Sequence, residues 1–376
     1  MQKSKLTTVS ISFLAFLFLS ETYLTHRKIP ADFIWGWKTD LSNFVEKNQL
    51  GYRGQPINYN QDDYVIVLLG DSQVPSFGTS AQNMPERKLQ KYLSFFLNKP
   101  VKVFSLGDLA YGQDQQLLTL TDYFDSYRAD AVIAWQELRS DVWNNAFPTD
   151  MVFDGARKPT YWLDQEGSLK GPRIKDSPLR LISVLKRRFY DSSLDHYWGR
   201  KHLPPMRKLS LEESPNLIPI EDIDWDIRKL NKEIESNLLK YDKSPIAVML
   251  KDNSPRVDYG ISLMNRLLHE IKVIANNNNA IFFTFDIIRA DDSPPDGPYL
   301  FDTGTTKYTE YFSAENLELN RIKANKGLDY LMLDLGLKEN YKIQNDWHLN
   351  ENGISVAMKK VAIALTDKIK KDGENI

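Results

Sequence analysis

The stretch VIVLLGDSQVPSFGTS, Val65 to Ser80, runs five apolar residues straight into Gly-Asp-Ser. An unbroken apolar run closed by glycine predicts a strand buried on both faces, as in a parallel sheet. A turn at its end holds Ser72 above the sheet edge. The expectation is that a helix follows at once and sets its first amides beside the hydroxyl, where they can stabilise an oxyanion. An ordinary turn is the other reading, because a serine nucleophile needs a base from elsewhere in the chain.

Further apolar runs bounded by turn residues predict strands at Tyr64–Leu69, Val101–Leu106, Ala131–Trp135, Ala280–Phe285 and Tyr330–Leu333. Helical patterns lie between and after them, in PERKLQKYLSFFL, DQQLLTLTDYF, YGISLMNRLLHEIKVIANN and ENGISVAMKKVAIALTDKIKK. This alternation predicts an α/β fold, a three-layer α/β/α arrangement around a central parallel sheet. Ligands in such sheets sit outside the carboxyl ends of the strands, where Gly70-Asp71-Ser72 falls.

The chain has five histidines. His26 flanks the N-terminal apolar segment, His196 and His202 lie in an irregular region, and His269 falls on a predicted helix. His348 sits in NDWHLNENGISVA, just before the last helix, with Asp346 two residues earlier. In an extended segment positions i and i+2 point the same way. Asp346 can then accept from imidazole Nδ1 and leave Nε2 free to act as a base. Asn350 is placed to cap the following helix. The competing reading makes Asp346 and His348 caps as well.

With these residues in view, the sequence resembles the SGNH/GDSL hydrolase family. Its first block matches Gly70-Asp71-Ser72 and its last block matches DWHLNENG. The spacing here is D-x-H. The commoner D-x-x-H form would nominate Asn345, and Asp346 is preferred because a carboxylate supports an imidazolium better than an amide. LGYRGQP, before the first strand, looks like the lead-in of membrane-anchored bacterial members. The resemblance implies the flavodoxin-like SGNH fold, with Ser72 as nucleophile, His348 as base and Asp346 orienting the ring. It implies an oxyanion hole at Ser72, Ala110 and Ser140. Ala110 stands where the family's second block has glycine, and Ser140 stands where its third block has asparagine. Arg139, Asn144 and Asn145 are candidate substitutes for that asparagine. Asp71, Tyr111, Asp141 and Trp347 flank the blocks as candidate substrate-binding residues. Tyr111, Trp135, Trp143 and Trp347 either stack a sugar ring or pack the core. The resemblance requires no cofactor and no metal.

A net charge of −2 gives no electrostatic case for nucleic acid. The absence of cysteine excludes thiolate chemistry and disulfides. There is no P-loop and no dinucleotide-binding glycine motif.

The N-terminus reads as a signal anchor or signal peptide over residues 1–28. Its apolar stretch, Leu6 to Leu24, approaches the roughly 20 residues of a bilayer span. A cleaved signal and a buried helix stay open as alternatives. A connector with a short helix, Asp40 to Lys47, covers 29–60, and the hydrolase-like domain covers 61–376.

An irregular insertion at about 150–243 carries SPLRLISVLKRRFYDS, which reads as a cap helix or a membrane-surface helix. HYWGRKH reads as a surface loop, since its histidine spacing fits no metal pair. NNNN reads as a polar helix end, and DDSPPDG as a solvated loop.

Together these predict a bacterial membrane protein with its bulk exported and an acyl ester or acetylated glycan as substrate. The expected activity is an SGNH-type esterase. The alternatives are a non-catalytic glycan- or partner-binding protein of the envelope and an O-acetyltransferase.

Overall fold

The computed structural model describes residues 12–23, 46–149, 158–173, 195–209, 236, 238–288, 296–302, 304–336, 339–343, 346 and 348–373. At its centre is β1 (Tyr64–Gly70), six of whose seven residues are buried. It pairs in parallel with β2 (Val101–Gly107) on one side and β3 (Ala131–Gln136) on the other. Then come β6 (Ile281–Ile288) and β9 (Tyr330–Asp334), also parallel, giving the order β2-β1-β3-β6-β9. Counting only these five strands, the order is 2-1-3-4-5, the doubly wound arrangement whose direction reverses between β1 and β3.

The helices of this framework are α1 (Pro85–Leu97), α2 (Gln113–Phe124), α3 (Leu138–Ala146), α4 (Pro255–Asn277), α5 (Ala314–Ala324) and α6 (Glu351–Gly373). Alternate residues of β1 serve opposite faces. Val65, Val67 and Leu69 pack with α2 and α4, whereas Ile66 and Leu68 pack with α1 and α6. The result is a mixed α/β fold with helices on both faces of a parallel sheet, consistent with three layers. α1 matches its predicted span to the residue. Pro85 fits the first turn, where no amide partner is needed, and Asn98 closes the helix in the left-handed region. α4 starts on Ser254, which accepts from the Val257 amide, and runs into the asparagine stretch as predicted.

Several expectations change. The helix after Ser72 does not start at once: residues 71–75 form a turn, and α1 begins only at Pro85. Arg53 braces the intervening loop, donating to the carbonyls of Pro75 (2.5 Å), Ser76 (2.6 Å) and Thr79 (2.7 Å). That contact holds Ser76 at φ +46°. Tyr52, Gln55 and Ile57 are buried with it, so LGYRGQP packs onto the sheet domain. Lys47 sits in a bridge to Arg53 rather than in a helix, while Asp40 itself lies outside the described residues.

In the insertion, β4 (Thr160–Leu163) and β5 (Leu169–Arg173) form a hairpin. HYWGRKH is helical, not a loop, because its rings have burial to gain. Trp198 is buried and donates to the Ala146 carbonyl, and His202 stacks on it at 4.2 Å. Residues 177–192 lie outside the described residues. So do Asp291 to Pro295 of DDSPPDG, whereas Gly297 opens the hairpin of β7 (Gly297–Asp302) and β8 (Lys307–Phe312).

Residues 12–23 are helical, with Phe13, Leu14, Phe16, Phe18 and Leu19 each at least 60% exposed. Among the described residues, no helix is long and apolar enough to cross a membrane. The expected anchor begins before residue 12, outside the described residues.

The carboxyl ends of β1 and β3 approach closely at Gly70. A Cβ there would lie 2.6 Å from Val74 Cγ2 and 3.0 Å from the Trp135 carbonyl oxygen. Neither strand end can retreat without breaking ladder hydrogen bonds. Gly70→Ala is therefore expected to lose roughly 1–3 kcal/mol in urea unfolding. Unchanged stability would contradict this packing.

Candidate active site

Ser72 follows β1 and is half-buried. His348 precedes α6, 276 positions away, and its Nε2 lies 2.8 Å from Ser72 Oγ. Its Nδ1 lies 2.6 Å from Asp346 Oδ1. The same carboxylate oxygen accepts the His348 backbone N–H at 3.2 Å, so the pair forms a tight turn rather than an extended segment. With Nδ1 donating to the carboxylate, Nε2 is left as the acceptor for a hydroxyl proton. Capping falls to Asn350 alone, whose Oδ1 accepts from the amides of Asn352 and Gly353, both at 3.0 Å. Gln73 makes a second tie, its Oε1 accepting from the Leu349 amide at 3.4 Å.

The side chains of His348 and Asp346 are 28% and 41% exposed. Asp346 is thus more open to water than a fully buried orienting acid, which weakens its hold on the imidazole. Trp347 and Asn345 lie outside the described residues.

Exposure separates the remaining candidates. Ser72, Ala110 and Ser140 are half-buried, whereas Asp71, Tyr111 and Asp141 are buried. Ala110 has φ +56°, the left-handed conformation that glycine adopts freely. The backbone therefore makes a glycine-like turn with an alanine side chain. Ser140 stands in the first turn of α3 and donates its hydroxyl to the Glu137 carbonyl at 3.2 Å. A hydroxyl has one proton, so this contact competes with donation to an oxyanion.

The expected substitutes differ in placement. Arg139 is buried and pairs with Glu137 at 3.0 Å. Asn145 donates to Gln113 and accepts from the Asp114 amide, and Asn144 is fully buried.

Three of the expected substrate-contact residues, Asp71, Tyr111 and Asp141, are buried. Tyr111 is 1% exposed, with its ring edge against Tyr52, and belongs to the core. Asp141 is inaccessible, its Oδ2 accepting from Gln113 Nε2 (2.7 Å) and the Glu137 amide (2.9 Å). Burial, and then Asp71 beside it, push the Asp141 carboxyl well above the ordinary range. Asp71 is buried too and accepts from the Gln73 amide at 3.0 Å, which shapes the turn carrying Ser72. Trp135 and Trp143 are also core residues, Trp135 lying against Phe285.

Sequence reasoning missed Arg53, Gln73 and Gln113. The cluster GQDQQ at the start of α2 was the available signal, since four polar residues there had to face either water or each other. Among the described residues, no group of acidic or histidine side chains is arranged to hold a metal ion.

No family model matches the chain. No curated protein matches it. Among solved structures, a lipase from a goat rumen metagenome aligns over 80% of this chain and 97% of its own, at 8% identity and TM-score 0.36. A GDP-L-fucose synthetase from Naegleria fowleri, bound to NADP, aligns over 81% of this chain and 94% of its own, at 10% identity and TM-score 0.20. Neither likeness is close enough to bear on the chemistry of this site.

The left-handed alanine generates a stability prediction. A non-glycine residue in that region costs about 1–2 kcal/mol, of which the greater chain entropy of glycine offsets part. Ala110→Gly is therefore expected to raise the urea midpoint by about 0.5–1 kcal/mol equivalent. A loss of stability would show that the turn does not require left-handed backbone.

Proposed function

We propose that this protein is a serine-dependent acyl ester hydrolase of the SGNH type, acting on an acetylated envelope or exported glycan. One observation carries the reading: the hydrogen-bonded series Ser72–His348–Asp346, assembled from opposite ends of the chain. Ser72 Oγ attacks the ester carbonyl while His348 Nε2 takes its proton, and Asp346 supports the imidazolium. The amides of Ser72 and Ala110 are assigned as donors to the developing oxyanion. His348 then protonates the leaving alkoxide. Water, activated by the same imidazole, releases the acid and regenerates Ser72. A sugar hydroxyl in place of that water would make the protein an O-acetyltransferase.

A membrane-anchored placement with the bulk of the chain exported rests on the sequence of residues 1–28, with its basic residues flanking an apolar stretch. The choice of a glycan has two supports. It rests on the family resemblance and on the N-terminal segment.

A second reading, a non-catalytic glycan- or partner-binding relative, is favoured by Ser140. Its hydroxyl is engaged within α3 and not presented to an oxyanion. Removing one such donor from an oxyanion hole slows an enzyme roughly 100- to 1,000-fold.

The test is fluorophosphonate labelling together with hydrolysis of p-nitrophenyl acetate. Wild type is expected to label and turn over. Ser72→Ala and His348→Ala, both folded, are expected to lose about 1,000-fold or more of the rate. Absence of Ser72-dependent labelling and turnover in folded wild type would overturn the hydrolase reading in favour of the binding one.

A further inference from the structure

We propose that Asp141 is a positioning residue, the buried knot that ties the start of α3, after β3, to the start of α2, after β2, and so holds the Ala110 side of the Ser72 site in place. This rests on the hydrolase reading for its catalytic consequence, but the knot itself is structural. Asp141 lies on α3, which follows β3. Its Oδ2 takes the Glu137 amide at the start of that helix and Gln113 Nε2 at the start of α2. Gln113 is in turn held by Asn145, whose Oδ1 also accepts from the Asp114 amide. Ala110 is three residues before Gln113. The loop between them closes on α3 at Gly112, where a Cβ would lie 2.6 Å from Asn145 Oδ1. Loosening Gln113 therefore loosens the turn that carries the Ala110 amide.

Asp71, next to the nucleophile in sequence and also buried, opposes ionisation of Asp141. Two buried carboxylates that repel each other do not ionise together readily. Asp141 Oδ2 already accepts two N–H bonds, while Oδ1 has no protein partner. Oδ1 is thus the oxygen that carries the proton. The uncharged acid accepts like an amide carbonyl, so asparagine should replace it with little loss.

The charged groups around Asp141 leave this balance intact. Asp71 comes from the β1 turn, and Glu137, paired with Arg139, comes from α3. Beyond Asn145, Asp114 is paired with buried Lys158. Asp71 and Glu137 both oppose ionisation of Asp141.

The sign of the pH effect follows. The folded state binds the Asp141 proton more tightly than the unfolded chain does. Stability attributable to this residue is therefore full in acid. It is lost as pH rises from the ordinary aspartate range through the raised folded value. An asparagine side chain does not titrate and carries no such loss, so Asp141→Asn should gain on wild type as pH increases.

The experiment uses the full chain and compares wild type with Asp141→Asn, Asp141→Leu and Gln113→Ala. It reads p-nitrophenyl acetate kinetics and amide hydrogen exchange at residues 108–115, at matched pH from 5 to 9. Asp141→Asn is expected to keep kcat within about threefold of wild type, whereas Asp141→Leu and Gln113→Ala lose about 10- to 100-fold in kcat with little change in KM. Exchange at 108–115 should quicken in the latter two only. Wild-type exchange there should quicken relative to Asp141→Asn as pH rises. If Asp141→Leu does not fold, Gln113→Ala and the pH comparison decide.

Loss of kcat in Asp141→Asn equal to that in the disruptive variants would overturn the proposal, as would unchanged exchange in Gln113→Ala. If wild type has no Ser72-dependent turnover, the hydrolase reading fails by itself. The exchange measurements then uphold or overturn the knot without it.

Discussion

Parallel pairing of β1 on both of its edges is the constraint from which the site follows. Gly70 is in register with Gly107, and Leu69 with Ala134, so three strands end along one line. A Cβ on Gly107 would lie 2.7 Å from the Gly70 carbonyl oxygen, which shows how tightly two of those ends are drawn together. The chain leaves β1 and β2 through turns, Asp71 and Ser72 after β1 and Asp108 to Ala110 after β2, and passes from β3 through Glu137 straight into α3. Because strand order reverses between β1 and β3, nothing in the sheet lies over this edge. Ser72, Ala110 and Asp141 each follow one of these neighbouring strand ends as a consequence of strand order rather than of proximity in sequence.

The imidazole arrives from the other end of the chain, and apolar burial brings it. Leu349, Ile354, Met358, Val361 and Leu365 of the His348 segment and α6 are buried against the sheet and α1. Burying each such side chain is worth about 1.5–3 kcal/mol, against about 1 kcal/mol net for a typical hydrogen bond. Docking of α6 therefore sets where His348 stands. The polar contacts refine that position: Tyr92 with Ser355 at 2.6 Å, and Gln73 with Leu349.

What the sequence made legible was the part governed by local rules. Buried parallel strands read as apolar runs, and α1, α4 and α6 carry helical periodicity with proline, serine or asparagine at their starts. Ser72, His348 and Asp346 were legible because chemistry narrows the choice to few residue types, and His348 stands just before a strongly periodic helix with Asp346 two residues away. α3 was not legible. Its sequence, LRSDVWNNA, has eight of nine residues buried, including Asp141, Asn144 and Asn145. Leu138 and Val142 share a core with Val257 and Ile261 of α4, while Asp141 and Asn145 bond to Gln113 of α2, so polar residues interrupt any apolar stripe. α5 hides similarly behind Asn320 and Arg321, which are buried on the Val248 carbonyl and Asp286. The contact of Arg53 with the 75–79 carbonyls depends wholly on tertiary placement. Tyr111 stayed open between stacking and core packing for the same reason: an aromatic beside a site motif reads either way until its burial is seen.

The central claim is that the first and last functional segments meet. A crystal structure of the full-length protein measures this directly, through the separation of Ser72 Oγ and His348 Nε2. The account predicts hydrogen-bond distance, about 2.6–3.2 Å, with Nδ1 turned to Asp346. An ordered His348 ring facing away from Ser72, beyond the reach of one bridging water, would contradict it.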